Sequence, residues 1–246
     1  MKRQALRRRP AGQLVKASHV KRKPAAASKK PTLNLSSLKR RYFALRHGES
    51  EANVARIIIS DPKVGVVRYG LTAHGKDMVV STAAKFKSDI LEAGGILPSE
   101  VAVVASDFKR ASETAQIFHW EVCHAPNCLF DICLPERRLL RERRFGQLEA
   151  GPDDRYGDVW KVDATNVEAR PFQSESCASV QRRTVAAVRS LEAKLDPSVK
   201  LVVLVSHGDA LQILQTAFEC ISPGEHRSLK PLDRAELREL VPKSTS

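Results

Sequence analysis

Three short runs of consecutive apolar residues punctuate the chain: Tyr42-Phe43-Ala44-Leu45, Val101-Ala102-Val103-Val104-Ala105 and Leu201-Val202-Val203-Leu204-Val205. Runs without polar alternation predict strands buried on both faces, in a sheet covered by helices on each side. The longer segments between them carry a helical period instead. Val79, Ala83, Phe86 and Ile90 share one face, as do Ala111, Ala115 and Phe118, then Val180, Thr184, Val188, Leu191 and Leu195, and last Leu211, Leu214 and Phe218. Thr72 is placed to cap the first of these helices and Gly94-Gly95 to end it. Glu175-Ser176 suits the start of the third, and Pro197 stops it. No internal repeat is visible. The pattern predicts an α/β fold, a three-layer α/β/α sandwich whose central sheet is mostly parallel.

Each apolar run ends in a polar cluster: Arg46-His47-Gly48, Ser106-Asp107 and Ser206-His207-Gly208. In open α/β sheets, ligands collect where the carboxyl ends of strands meet loops and helix N-termini. The clusters are therefore expected to share one pocket.

Charge changes the picture at one end only. The formal net charge is +13 over 246 residues, yet residues 1–41 hold fourteen Lys/Arg and no Asp or Glu, which leaves −1 for residues 42–246. The basic stretch is rich in Ala, Ser and Pro and has no sustained apolar period, so residues 1–40 read as a disordered extension and 41–246 as the folded domain. Its role stays open among several readings. Lys21-Arg22-Lys23-Pro24 with Lys29-Lys30 resembles a nuclear address, whereas the acid-free start resembles an organelle transit peptide for mitochondrion or plastid, read by an import receptor. An electrostatic tether to nucleic acid or an anionic membrane is a third reading, and a solvated tail without a specific reader a fourth. No apolar run reaches transmembrane length and no secretory leader is visible, so the expected location is intracellular, cytoplasmic or nuclear unless the extension directs import.

The five cysteines are an odd number, in keeping with reduced thiols inside a cell. Cys123, Cys128 and Cys133 stand five apart with His119 and His124 nearby, which leaves a zinc site as the minor alternative. No metal and no cofactor is expected for the chemistry below.

A phosphate monoester brings about two negative charges, which paired arginine forks neutralise best. Arg46 ends the first strand and Arg110 opens the helix after the second. His47 suits the nucleophile, because an imidazole with an ordinary pKa near 6.5 is largely neutral at physiological pH. His207 is placed to bond a non-bridging oxygen as charge shifts. Glu142, in Leu140-Arg141-Glu142-Arg143-Arg144-Phe145-Gly146, is the expected proton donor, with a salt-bridge partner as its alternative reading. Arg143 and Arg144 either select an anionic substrate or are solvated.

Arg46-His47-Gly48-Glu49-Ser50-Glu51-Ala52-Asn53 resembles the RHGxxxxN signature of the histidine phosphatase superfamily, which includes cofactor-dependent phosphoglycerate mutases and fructose-2,6-bisphosphatases. The likeness continues in order through Leu71-Thr72-x-x-Gly75, Ser106-x-x-x-Arg110-Ala111-x-x-Thr114-Ala115, Glu142-Arg143, Glu175-Ser176 and Ser206-His207-Gly208-Asp209. The resemblance implies a phosphohistidine on His47, a pocket of Arg46, Arg110 and His207, and Glu142 as proton donor. It also implies accessory contacts from Asn53 and the backbones of Gly48 and Gly208; Arg143 and Asp209 are further candidates for contact with the substrate. The mutase pattern carries a Trp where this chain has Ala52, and aromatic residues where it has Ile57-Ile58-Ile59-Ser60-Asp61-Pro62-Lys63. The expected activity is therefore hydrolysis of a small phosphorylated metabolite. A phosphoglycerate mutase is the alternative, and a phosphoprotein-directed phosphatase or phospho-binding scaffold the second.

Overall fold

The computed structural model describes residues 38–123, 129–130 and 135–243. The basic extension before Leu38, together with His124, Cys128 and Cys133, lies outside the described residues. The sheet has five strands: β1 Arg41–Arg46, β2 Val101–Ala105, β3 Leu129–Phe130, β4 Leu201–Ser206 and β5 Leu237–Leu240, in the spatial order β3-β2-β4-β1-β5. β1, β2, β3 and β4 run parallel to one another, and β5 lies antiparallel on the edge beside β1. The three apolar runs are the three central strands, as their patterning requires.

Alternate residues of those strands feed two separate cores. Phe43, Leu45, Val103, Ala105, Val203 and Val205 pack with Val79, Ala83 and Phe86 of α3 (Ala73–Phe86) and with Ala111, Ala115 and Phe118 of α4 (Lys109–Cys123). Tyr42, Ala44, Val104, Val202 and Leu204 pack with Ala187, Val188 and Leu191 of α6 (Cys177–Lys194) and with Leu211, Leu214 and Phe218 of α7 (Gly208–Phe218). This is the expected three-layer sandwich. Shorter helices complete it: α1 Glu51–Val54, α2 Pro62–Gly65 and α5 Tyr156–Asp163.

The local signals act as their chemistry demands. Thr72 Oγ1 accepts from Gly75 N at 2.9 Å, capping α3, and Ser176 Oγ accepts from Ser179 N at 3.2 Å, capping α6. The first helix continues past Phe86 as a π-helical stretch, Lys87–Glu92, and the chain reverses through Gly95 at φ +61°. The described fold starts slightly earlier than the boundary at Arg41. Leu38 packs on the second core, and the Arg40 guanidinium donates to the carbonyls of Glu192, Leu195 and Asp196 at the C-terminal end of α6.

Register brings the polar clusters together. Arg46 lies beside Ser206 across the β1–β4 pair, His47 N donates to Ser206 O at 3.0 Å, and Ser106 N donates to Val205 O at 2.9 Å. Three adjacent parallel strands thus end at one level, and their next residues face the same space.

Candidate active site

A cavity of about 230 Å³ opens at these strand ends, lined by Arg46, His47, Asn53, Arg110 and Glu142 together with Ile57, Ile59, Tyr156, Asp153 and Arg234 among others. His47 is nearly fully buried. Its Nδ1 lies 2.7 Å from Gly48 O, which can only accept, so the ring proton sits on Nδ1 and the lone pair on Nε2. Arg110 Nε donates to that Nε2 at 3.1 Å. Burial first, then the charges of Arg110 and Arg46, holds His47 well below the ordinary imidazole range, so it is neutral.

Each arginine is anchored by one edge and open at another atom. Arg46 Nη1 donates to Leu232 O at 2.8 Å and Arg110 Nη2 to Ile59 O at 3.0 Å. Arg46 Nε and Arg110 Nη1 are buried without a protein partner. His207 completes the group: its ring centroid lies 5.2 Å from that of His47, and its Nδ1 is also buried and unpartnered. Ser106 Oγ accepts from Phe108 N at 3.3 Å and lies 2.9 Å from His207 Nε2. Three buried nitrogens without a protein partner thus surround a neutral histidine, an arrangement chemically suited to an anion, since leaving such groups buried and unpaired is costly.

Glu142 faces this group from the segment after the 3-10 turn Pro135–Leu140. Its position is imposed from outside the cavity: Arg183 of α6 donates to the carbonyls of Leu139, Arg141 and Glu142, and Ser206 Oγ donates to Leu140 O. The Glu142 carboxylate oxygen Oε1 accepts from Arg143 N at 2.9 Å and Ala210 N at 3.3 Å. Burial, reinforced by the nearby Asp209 charge, pushes the carboxyl up to about 7. A group of that kind holds a proton near neutral pH and can give it away.

Sequence reading and structure diverge at three positions. Arg143, expected at the substrate, is fully buried, and its guanidinium is held by Asp163 at 2.5 and 2.8 Å, Asp209 at 3.4 Å and the Glu175 carbonyl at 2.7 Å. With its donors turned onto those partners, it cannot serve a ligand in the cavity. Asp209 faces the same cluster, accepting from Trp160 Nε1 at 2.8 Å. The Gly48 amide, expected on phosphate, donates to Thr114 Oγ1 at 3.1 Å. Gly208 serves by its size, because a Cβ there would lie 3.3 Å from the Arg46 guanidinium carbon. Asn53 does reach the cavity, with Oδ1 accepting from Ser50 N at 3.1 Å. Arg144 is exposed.

Tyr156 and Arg234 were not expected. Tyr156 comes from α5, stacks on Trp160 at 5.6 Å between centroids, and is raised well above its ordinary range by burial and by Glu142. Arg234 precedes β5 and is held at the rim by Glu49 Oε2 at 2.6 Å. Of the zinc alternative, Cys123 is a buried cysteine outside any disulfide, and no metal-binding group of three His, Cys, Asp or Glu occurs among the described residues. No helix among them is long and apolar enough to cross a membrane.

Comparison with curated protein sequences returned no significant match. Among solved structures, the chain is similar to a mycobacterial glucosyl-3-phosphoglycerate phosphatase in complex with VO3, with 23% identity, TM-score 0.61, and 81% of this chain and 92% of that one covered. It is also similar to a structure described as mycobacterial hydrolase 1, with 21% identity, TM-score 0.62 and coverage of 81% and 88%. A third likeness is to a phosphoserine phosphatase mutant of Entamoeba histolytica in complex with phosphoserine, at 19% identity, TM-score 0.60 and coverage of 81% and 89%. The sequence model described as Histidine phosphatase superfamily (branch 1) matches residues 42–245, and the chain belongs to that family.

Proposed function

We propose that this protein hydrolyses small phosphomonoesters through a phosphohistidine on His47. The observation that carries the reading is the set of buried, unpartnered polar atoms around that ring: Arg46 Nε, Arg110 Nη1 and His207 Nδ1. A phosphoryl group satisfies all three. As it engages the Arg110 guanidinium, the His47 Nε2 lone pair is released and attacks phosphorus. The N–P bond forms, the bond from phosphorus to the leaving oxygen breaks, and Glu142 passes its proton to that oxygen. The Nδ1–H to Gly48 O hydrogen bond steadies the positive charge left on the phosphorylated ring. Water then attacks phosphorus, Glu142 takes the water proton, and neutral His47 returns.

A cavity of about 230 Å³ supports a small phosphorylated metabolite as substrate. The names of the similar structures, a glucosyl-3-phosphoglycerate phosphatase and a phosphoserine phosphatase, fit the same class. Hydrolysis is favoured over mutase transfer because Ala52, Ile57 and Ile59, which stand where the mutase pattern is aromatic or close to it, line the cavity. In this reading the chemistry belongs to residues 41–246, and the basic residues 1–40 act as an intracellular address or electrostatic tether.

The test is pre-steady-state hydrolysis of p-nitrophenyl phosphate. The expected result is a burst of p-nitrophenol equal to the enzyme concentration, with an acid-labile phosphoryl group on His47. Unchanged turnover in His47→Ala overturns the proposal.

A further inference from the structure

Asp209 occupies the first turn of α7, where an acidic side chain ordinarily faces the helix N-terminus. Here it turns into a closed cluster instead. Its Oδ1 accepts from Trp160 Nε1 at 2.8 Å and lies 3.5 Å from His226 Nε2, while Oδ2 meets Arg143 Nη1 at 3.4 Å. Asp163, at the end of the same helix α5 that carries Trp160, takes the rest of the Arg143 fork. His226 donates Nδ1–H to Pro223 O at 2.9 Å, and Arg227 lies over the Trp160 ring at 3.9 Å. Asp163 and His226 are fully buried and Asp209 nearly so.

This cluster touches the proton donor through two consecutive residues on each side. Glu142 Oε1 accepts from the backbone of Arg143, whose side chain holds Asp209, and from the backbone of Ala210, the residue after Asp209. The groups facing Glu142 from the surrounding elements are Arg46 of β1, Arg110 of α4, Tyr156 of α5 and Asp209 of α7. Two arginines, two backbone N–H groups and a helix N-terminus all favour a carboxylate at Glu142. Burial and Asp209 are what oppose them.

Resting on the phosphatase reading above, we propose that Asp209 is a positioning residue for the proton donor. Its buried carboxylate, fixed by Trp160 and Arg143, keeps Glu142 in the acid form that the leaving group requires. The arrangement also makes α5 a double contributor. One of its residues, Tyr156, lines the cavity while two others, Trp160 and Asp163, lock the charge that serves Glu142. Arg143, the residue after Glu142, and Asp209, two residues after His207, thus act one layer behind the phosphate.

The experiment compares pH profiles on two substrates. An alkyl phosphate has a poor leaving group and needs the proton, whereas p-nitrophenyl phosphate hardly does. In Asp209→Asn, the alkaline limb of kcat/KM for the alkyl phosphate is expected to fall by about one pH unit, with roughly tenfold loss at slightly alkaline pH and little loss on p-nitrophenyl phosphate. Trp160→Phe, which loosens α5 but leaves the Asp209 charge, should keep the limb in place. If Asp209→Asn does not fold, Asp209→Ser, which also removes the charge and keeps Arg143 on Asp163, is read in its place, and the same displacement is expected. An unmoved limb, or the same displacement in Trp160→Phe, overturns the proposal. Full alkyl phosphate turnover in Glu142→Gln instead removes the proton-donor reading on which it stands.

Discussion

The Nε–H of Arg110 points at Nε2 of His47 across 3.1 Å, so the cation proposed to bind phosphate also guards the lone pair proposed to attack it. With Nδ1 fixed on the Gly48 carbonyl, no other tautomer satisfies both contacts. Arg110 thereby sets the nucleophile's orientation and helps burial hold its pKa well below 6.5. In the proposed reaction attack requires neutral His47, so the acid limb of kcat/KM is expected well below pH 6.5 and the alkaline limb near 7, where Glu142 loses its proton.

Arg110→Ala is expected to lower kcat/KM on the order of 100- to 1,000-fold, the usual cost of one preorganised donor to a developing charge. Its acid limb should move up, because removal of the cation lets His47 protonate more readily. Arg110→Lys should recover little, since one ammonium nitrogen cannot stand where Nε, Nη1 and Nη2 meet His47, the phosphate site and the Ile59 carbonyl. A pH-rate series on the two variants checks all of this.

Glu142 carries an opposite prediction for stability. Its folded pKa of about 7 stands above the usual carboxyl value of 4.5, so between these values the folded state holds a proton that the unfolded state has released. Stability from this group is full below pH 4.5 and is lost as pH rises through 7. Glu142→Gln removes that loss. At pH 8 the variant should be more stable by about 2 to 3 kcal/mol in urea unfolding, while turnover of alkyl phosphates collapses.

How much of this was legible follows from what each residue shows in sequence. The central strands declared themselves because their residues are apolar on both faces; Arg46, His47 and His207 followed from their places at strand ends, and Arg110 from its place in the first turn of the helix after β2. Helix α5 did not, because among Tyr156–Asp163 only Val159 and Asp163 are buried and no apolar stripe forms. Strand β5, Leu-Arg-Glu-Leu, is an edge strand with charged positions, and its ladder comes from β1. Arg143 and Arg144 look alike in sequence, yet one is fully buried and the other exposed. What separates them is Asp163, a partner twenty residues away that no local pattern announces.

That partnership makes Arg143 a matter of stability before substrate affinity. Truncation to Ala leaves Asp163 and Asp209 buried with one cation fewer, an arrangement that costs about 3 to 5 kcal/mol. Arg143→Ala should therefore lower the urea midpoint sharply. In the fraction that stays folded, the KM for p-nitrophenyl phosphate should change little. A large rise in KM with unchanged stability would return Arg143 to the substrate.

Gly75 joins fold to chemistry most directly. It sits in the first turn of α3, and a Cβ there would lie 2.0 Å from the Glu49 carbonyl oxygen, closer than any real contact. The same loop is pinned by Thr72 N donating to that oxygen at 3.0 Å, and a Cβ on Gly48 would meet Gly75 O at 2.4 Å. Both obstacles are backbone, which cannot swing aside as a side chain does. Gly75→Ala must push residues 48–49 away from α3, at a cost of about 2 to 3 kcal/mol. The Gly48 carbonyl that fixes His47 Nδ1 moves with them, so the variant should lose kcat as well as stability. Thermal unfolding and burst kinetics on the same preparation check both halves: a destabilised variant with a full-rate burst would show that the His47 tautomer does not depend on this contact.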